Sequence, residues 1–136
     1  MNAQVLPTHL PLFGHSVEAG FPSAADDYIE KELDLNTHLI KHPSATFLAR
    51  ANGNSMIGRG IYDGDTLIVD RSIEPQHGNI VIAALNGELT CKVLDKRQHC
   101  LMPANPSIKP IMINEHSDLL IEGVVIHSIR HHIHSR

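Results

Sequence analysis

Positive charge, cysteine and long apolar runs are all scarce in this 136-residue chain. Eleven lysines and arginines against fifteen aspartates and glutamates leave a net charge of −4 with the histidines neutral. No broad basic surface therefore marks nucleic acid as the main ligand, and direct sequence-specific DNA binding is not expected. Cys91 and Cys100 have neither metal-pair spacing nor enough partners for a disulfide framework. The N-terminus lacks a basic segment followed by an apolar run, and nothing approaches the roughly 20 apolar residues of a membrane span. The expectation is a protein without membrane contact, placed in the cytoplasm. The length suits one ordinary core and is too short for two.

The first 22 residues carry Pro7, Pro11, Gly14, Gly20 and Pro22, which interrupt any helix and read as an extended arm. From Ser23 the text changes. "SAADDYIEKELDL" has Ser23 and Asp26 at capping-box spacing, with Ala25, Tyr28, Ile29 and Leu33 at helical spacing, so a short helix is expected there. Beyond Ser44 the segments "ATFLARA", "TLIVD", "IVIAAL", "ELTCKVL", "HCLM" and "LLIEGVVIHSI" are short, rich in β-branched residues and bounded by Gly, Pro, Asn or Asp. Asn86-Gly87 between two of them is a strong two-residue hairpin signal. The predicted organisation is an arm over 1–22 and a mainly β domain over 23–136 with one short helix. There is no βαβ alternation and no internal repeat.

"GNSMIGRGIYDGDTLIVD", residues 53–70, places Ser55 at the mouth of a glycine-rich turn. A serine hydroxyl is a weak nucleophile without an adjacent base, so packing and chemistry are rival readings of it. The histidines make a Ser-His pair conceivable, but "GNSMIG" is not the G-x-S-x-G elbow, because Gly58 falls one place late. Asp63 and Asp65 in "YDGD" read as turn chemistry. A lysine remains, able to act as a base if burial lowers its pKa. Alternation along "ELTCKVL" puts Leu89, Cys91 and Val93 on one face and Thr90, Lys92 and Leu94 on the other. Lys92 then falls on the more polar side, where a strand lysine is ordinarily solvated.

The stretch around Ser55, with Lys92 following 37 positions later in "ELTCKVL", closely resembles the LexA/UmuD family of self-cleaving serine peptidases. "PLFGHSVEAGFPSAADDYIEKELDLNTHLIKHPSATFLARANGNSM", "MPANPSIKPIMI" and "EGVVIHSI" extend the likeness to UmuD-like members over nearly the whole chain. The resemblance implies a compact β domain like that of LexA and the signal peptidases. It also implies Ser55 as nucleophile, Lys92 as general base, Ala19-Gly20 in "VEAGFPS" as the scissile bond, and Met56 beside the oxyanion site. Asn54 stands where the family commonly has Asp, and Cys91 where Val is frequent.

By the same resemblance, a RecA filament on single-stranded DNA triggers cleavage. The processed homodimer then joins a UmuC-like Y-family DNA polymerase for translesion synthesis and mutagenesis. Only 19 residues precede the cut, too few and too broken for the DNA-reading domain of a repressor. The alternative is a non-enzymatic polymerase-interaction subunit in which cleavage is vestigial. No cofactor is expected. The tail "IHSIRHHIHSR" holds His127, His131, His132 and His134, but no Cys or carboxylate beside them fixes a metal geometry, so no metal is assigned. Cys91, Cys100, Met102 and Met112 are expected in the core.

Overall fold

The structure, a computed structural model, describes residues 8–14, 17, 19 and 29–133. Contacts divide the chain into two units, 1–41 and 42–136. The boundary expected between residues 22 and 23 falls outside the described residues.

In the first unit, strand β1 (His9–Phe13) pairs antiparallel with β2 (Ile29–Asp34), His9 opposite Asp34 and Leu12 opposite Lys31. Pro11 is tolerated because a two-stranded ribbon leaves each strand an edge that needs no donor. Helix α1 (Leu35–Leu39) follows at once. Asp34 caps it, one carboxylate oxygen accepting from the Asn36 N–H and the other from the Thr37 hydroxyl, both at 3.1 Å.

These observations correct the expected helix. Residues 29–34 are strand, residues 23–28 with the Ser23–Asp26 box lie outside the described set, and the one short helix starts after Asp34. Pairing with β1, a contact invisible to local spacing, overrides the helical periodicity of Ile29 and Leu33.

The second unit is a seven-stranded antiparallel sheet. Its strands are β3 (Thr46–Arg50), β4 (Thr66–Asp70), β5 (Ile80–Leu85), β6 (Glu88–Asp95), β7 (Cys100–Met102), β8 (Ile111–Met112) and β9 (Leu119–Ile129). Every strand expected from the sequence beyond Ser44 is present, and only the two-residue β8 was not anticipated. Across the sheet the order is β3-β4-β9-β5-β6-β7-β8. The hairpin signal is realised: Leu85 pairs with Glu88, and Asn86 and Gly87 have φ of 51° and 86°, as a type I′ turn requires.

Strand β9 lies between the β3–β4 and β5–β6 hairpins and shifts register against each, between Ile68 and Val69 on one side and between Ile82 and Ala83 on the other. Gly123 sits at the second shift, where a Cβ would come within 2.7 Å of Val69 Cγ1. Only glycine lets β9 approach β4 this closely.

The sheet is apolar on both faces. Met56, Ile61, Leu67, Val69 and Ile82 form one buried cluster, and Val81, Ala83, Leu94, Leu101 and Val124 form a second. Neighbours along β5 alternate between them, as a strand buried on both sides must. Cys100 is fully buried and Cys91 half-buried, whereas Met112, expected in the core, is exposed. No helix among the described residues is long and apolar enough to cross a membrane.

Candidate active site

Strand β3 ends in a loop whose neck is closed by two backbone bonds, Ala51 N–H to Asp65 O and Gly64 N–H to Ala51 O, both 2.8 Å. Inside the loop the Gly53 N–H donates to Asp63 Oδ1 at 2.7 Å. Ser55 is held by a second segment. Its carbonyl accepts from the Ala104 N–H at 2.8 Å, the Gly58 N–H donates to the Ala104 carbonyl at 2.7 Å, and Asn105 Nδ2 donates to the Asn54 carbonyl at 3.0 Å. A Cβ on Gly58 would lie 2.6 Å from the Ala104 oxygen, so this pinning requires glycine. The Met56 side chain, 3% exposed, anchors the turn in the first apolar cluster. Among the described residues, the backbone N–H groups of Ser55 and Met56 donate to no protein acceptor.

Lys92 Nζ lies 3.2 Å from Ser55 Oγ. Register brings it there: Lys92 stands opposite Val81 in the middle of the β5–β6 hairpin. The side chain is 8% exposed, which corrects the expectation of a solvated lysine. Strand alternation was read correctly; the error lay in taking one face as polar, when the face shared by Lys92 and Leu94 also packs, and Leu94 belongs to the second apolar cluster. Conversely, Leu89 on the supposed inner face is 69% exposed.

Burial pushes the Lys92 pKa below its ordinary 10.5. Two further acceptors meet its amine, Thr90 Oγ1 at 2.7 Å and the Cys91 carbonyl at 3.2 Å. The adjacent Cys91 thiol is pushed up to about 11 by burial, so it is protonated and a poor nucleophile near neutrality.

Ser55 and Lys92 open into a cleft of about 250 Å³ floored by Met56, Ile61, Leu67 and Ile82, with Arg50 and Leu89 also lining it. The volume is below the usual range for drug-sized ligands and suits a strip of peptide with small side chains. Behind the loop, Asp65 is 2% exposed and accepts both Arg130 Nε and Nη2 at 3.1 Å, together with the Tyr62 N–H at 2.8 Å. Arg130 also stacks on the Tyr62 ring and donates to the Gly60 carbonyl at 2.7 Å. The turn reading of Asp63 and Asp65 thus holds, but it missed the latch between Asp65 and the chain beyond β9.

Of the site residues expected from the sequence, Ser55, Met56 and Lys92 come together. Ala19 is exposed, and Gly20 lies outside the described residues, as does His134 of the histidine tail. Thr90 was overlooked, although its place two residues before Lys92 on the same strand face was a usable signal. The Ala104–Asn105 clamp had no local signature.

Residues 11–126 match the family described as Peptidase S24-like. The chain belongs to this family. Among S24-like relatives, ImpA of Salmonella typhimurium is 45% identical over 125 residues, covering 88% of this chain and 82% of ImpA. SamA of Salmonella typhimurium strain LT2 is 46% identical over 124 residues, covering 88% of this chain and 86% of SamA. The LexA repressor of Acidithiobacillus ferrooxidans is 42% identical over 128 residues, covering 90% of this chain and 62% of the repressor. The chain is a UmuD-like S24 member of the LexA/UmuD family.

Proposed function

We propose that this S24-like chain is a self-cleaving serine peptidase of the DNA-damage response that cuts its own Ala19-Gly20 bond with Ser55 and Lys92. The observation that carries this reading is the 3.2 Å approach of a buried lysine amine to a serine hydroxyl beside an open cleft. A neutral amine has two N–H donors and one lone pair. Thr90 Oγ1 and the Cys91 carbonyl take the donors, which leaves the lone pair to accept the Ser55 proton.

Ser55 Oγ then attacks the Ala19 carbonyl, and the undonated N–H groups of Ser55 and Met56 suit the developing oxyanion. The amine of Gly20 leaves with the proton carried by Lys92, and water, deprotonated in turn by Lys92, hydrolyses the acyl-enzyme. Small residues on both sides of the bond allow the approach to about 3 Å that attack needs. No metal or cofactor enters these steps. The arm of residues 1–22 is the substrate and the remainder, 23–136, works as the peptidase and interaction body.

Because the substrate is covalently present, cleavage is gated by whatever stabilises the docked arm. Kinship with UmuD-like proteins assigns that role to a RecA filament on single-stranded DNA, and assigns the processed homodimer to a UmuC-like Y-family polymerase for translesion synthesis and SOS mutagenesis in the cytoplasm.

Mass spectrometry of the purified chain before and after incubation with RecA, single-stranded DNA and a nucleotide tests the proposal. The expected product begins at Gly20, and Ser55→Ala and Lys92→Ala each abolish it while remaining folded. Cleavage after Ala19 in either folded variant would overturn the dyad. An intact wild-type chain under all conditions would favour the non-enzymatic interaction subunit.

A further inference from the structure

The cleft beside Ser55 carries charge of one sign. Of the side chains lining it, Arg50 and Lys92 are cationic groups and none is a carboxylate. The two differ in kind: Lys92 is buried and has to give up its proton to act as a base, whereas an arginine stays charged throughout the working range. Arg50 ends β3, is exposed, and makes no ion pair or side-chain hydrogen bond among the described residues. The nearby acids are engaged elsewhere, Asp65 by Arg130 and Asp63 by the Gly53 N–H.

The segment proposed as substrate, "HSVEAGFPS", residues 15–23, has a single carboxylate, Glu18, directly before the scissile Ala19. In an extended peptide neighbouring side chains point to opposite sides. With Ala19 turned toward the apolar floor for attack by Ser55, Glu18 turns toward the rim. Lys92 is chemically unsuited to receive it, because a carboxylate at that amine would raise its pKa and hold the base protonated. Arg50 has no such conflict.

We propose that Arg50 is the specificity-determining residue of the cleft, binding the acidic side chain that immediately precedes the scissile alanine, whether that peptide comes from the same chain or from a second copy. This rests on the self-cleavage reading above. The pairing does two things: it adds affinity for the docked peptide, and it keeps negative charge away from Lys92.

The test is charge reversal and exchange in the full-length protein, following loss of intact chain at alkaline pH without the filament. Arg50→Glu and Glu18→Arg alone are each expected to slow cleavage about tenfold, and the double exchange to return it to within about threefold of wild type. In the wild type added salt slows cleavage, and in Glu18→Gln it has little effect.

A wild-type rate in Arg50→Glu, or a double exchange no faster than the slower single variant, would overturn the proposal. So would an equal salt response in Glu18→Gln, a milder variant that serves if the reversals fail to fold. Ser55→Ala and the wild type run alongside: a product starting at Gly20 in the wild type alone upholds self-cleavage, whatever the exchange shows about Arg50.

Discussion

At Lys92 an ammonium group is disfavoured by what surrounds it, and the reaction proposed for it needs the neutral amine. Burial lowers its pKa from 10.5, so the neutral fraction grows as pH rises toward that lowered value. Unaided cleavage is therefore expected to be slow at neutrality and to climb log-linearly beyond pH 8, measured as loss of intact chain with folding checked by circular dichroism. A plateau reached by about pH 7.5 that persists in Lys92→Ala would point to a histidine instead. Lys92→Arg should be inert up to about pH 10.5, because a guanidinium does not deprotonate there. Gly58 offers a second residue-level check. Gly58→Ala forces a Cβ against the Ala104 carbonyl and should cost about 1–3 kcal/mol in urea unfolding while slowing cleavage, since the displaced turn carries Ser55. Of these positions, the Ser55–Lys92 pair was legible only as a motif. Strand periodicity alone sent Lys92 to solvent, because alternation says which residues share a face and not how many faces are covered.

Among the elements, those with purely local signals were the easiest to read. β3, β4, β5, β6, β7 and β9 are β-branched runs closed by turn residues, and Asn86-Gly87 specifies its own hairpin through positive φ. β2 was misread because "IEKELD" satisfies both periods, and pairing with β1 decided between them. The latch behind the Ser55 loop joins Asp65 to Arg130, 65 positions away, and no local rule anticipates it. Hydrogen bonds from Arg130 and from the Tyr62 backbone outweigh burial and hold the Asp65 carboxyl below its ordinary 3.8. Between the native and unfolded values the unfolded chain binds the proton that the native one refuses. This stabilisation is present above about pH 3.8 and is lost as pH falls through the native value. Asp65→Asn is expected to lower stability by about 1–3 kcal/mol at pH 7. The deficit should shrink at pH 3, as read from urea midpoints; an equal deficit at both would assign the effect to packing.

Taken as a whole molecule, the sheet puts its last described strand in the middle. The nucleophile's turn hangs on the β3–β4 hairpin and the base rides on the β5–β6 hairpin, and within the sheet β9 alone joins the two. Either hairpin closes early from neighbouring residues, but their union waits for a contact of high sequence separation. On the ribosome, the residues from 119 onward are made after both hairpins and the cleavage segment have already emerged. A nascent chain stalled with β9 still inside the tunnel should carry an intact Ala19-Gly20 bond even at alkaline pH, and release of the stall should restore cleavage. The order of translation thus acts as a safety catch, keeping the peptidase unarmed until its own synthesis is almost finished.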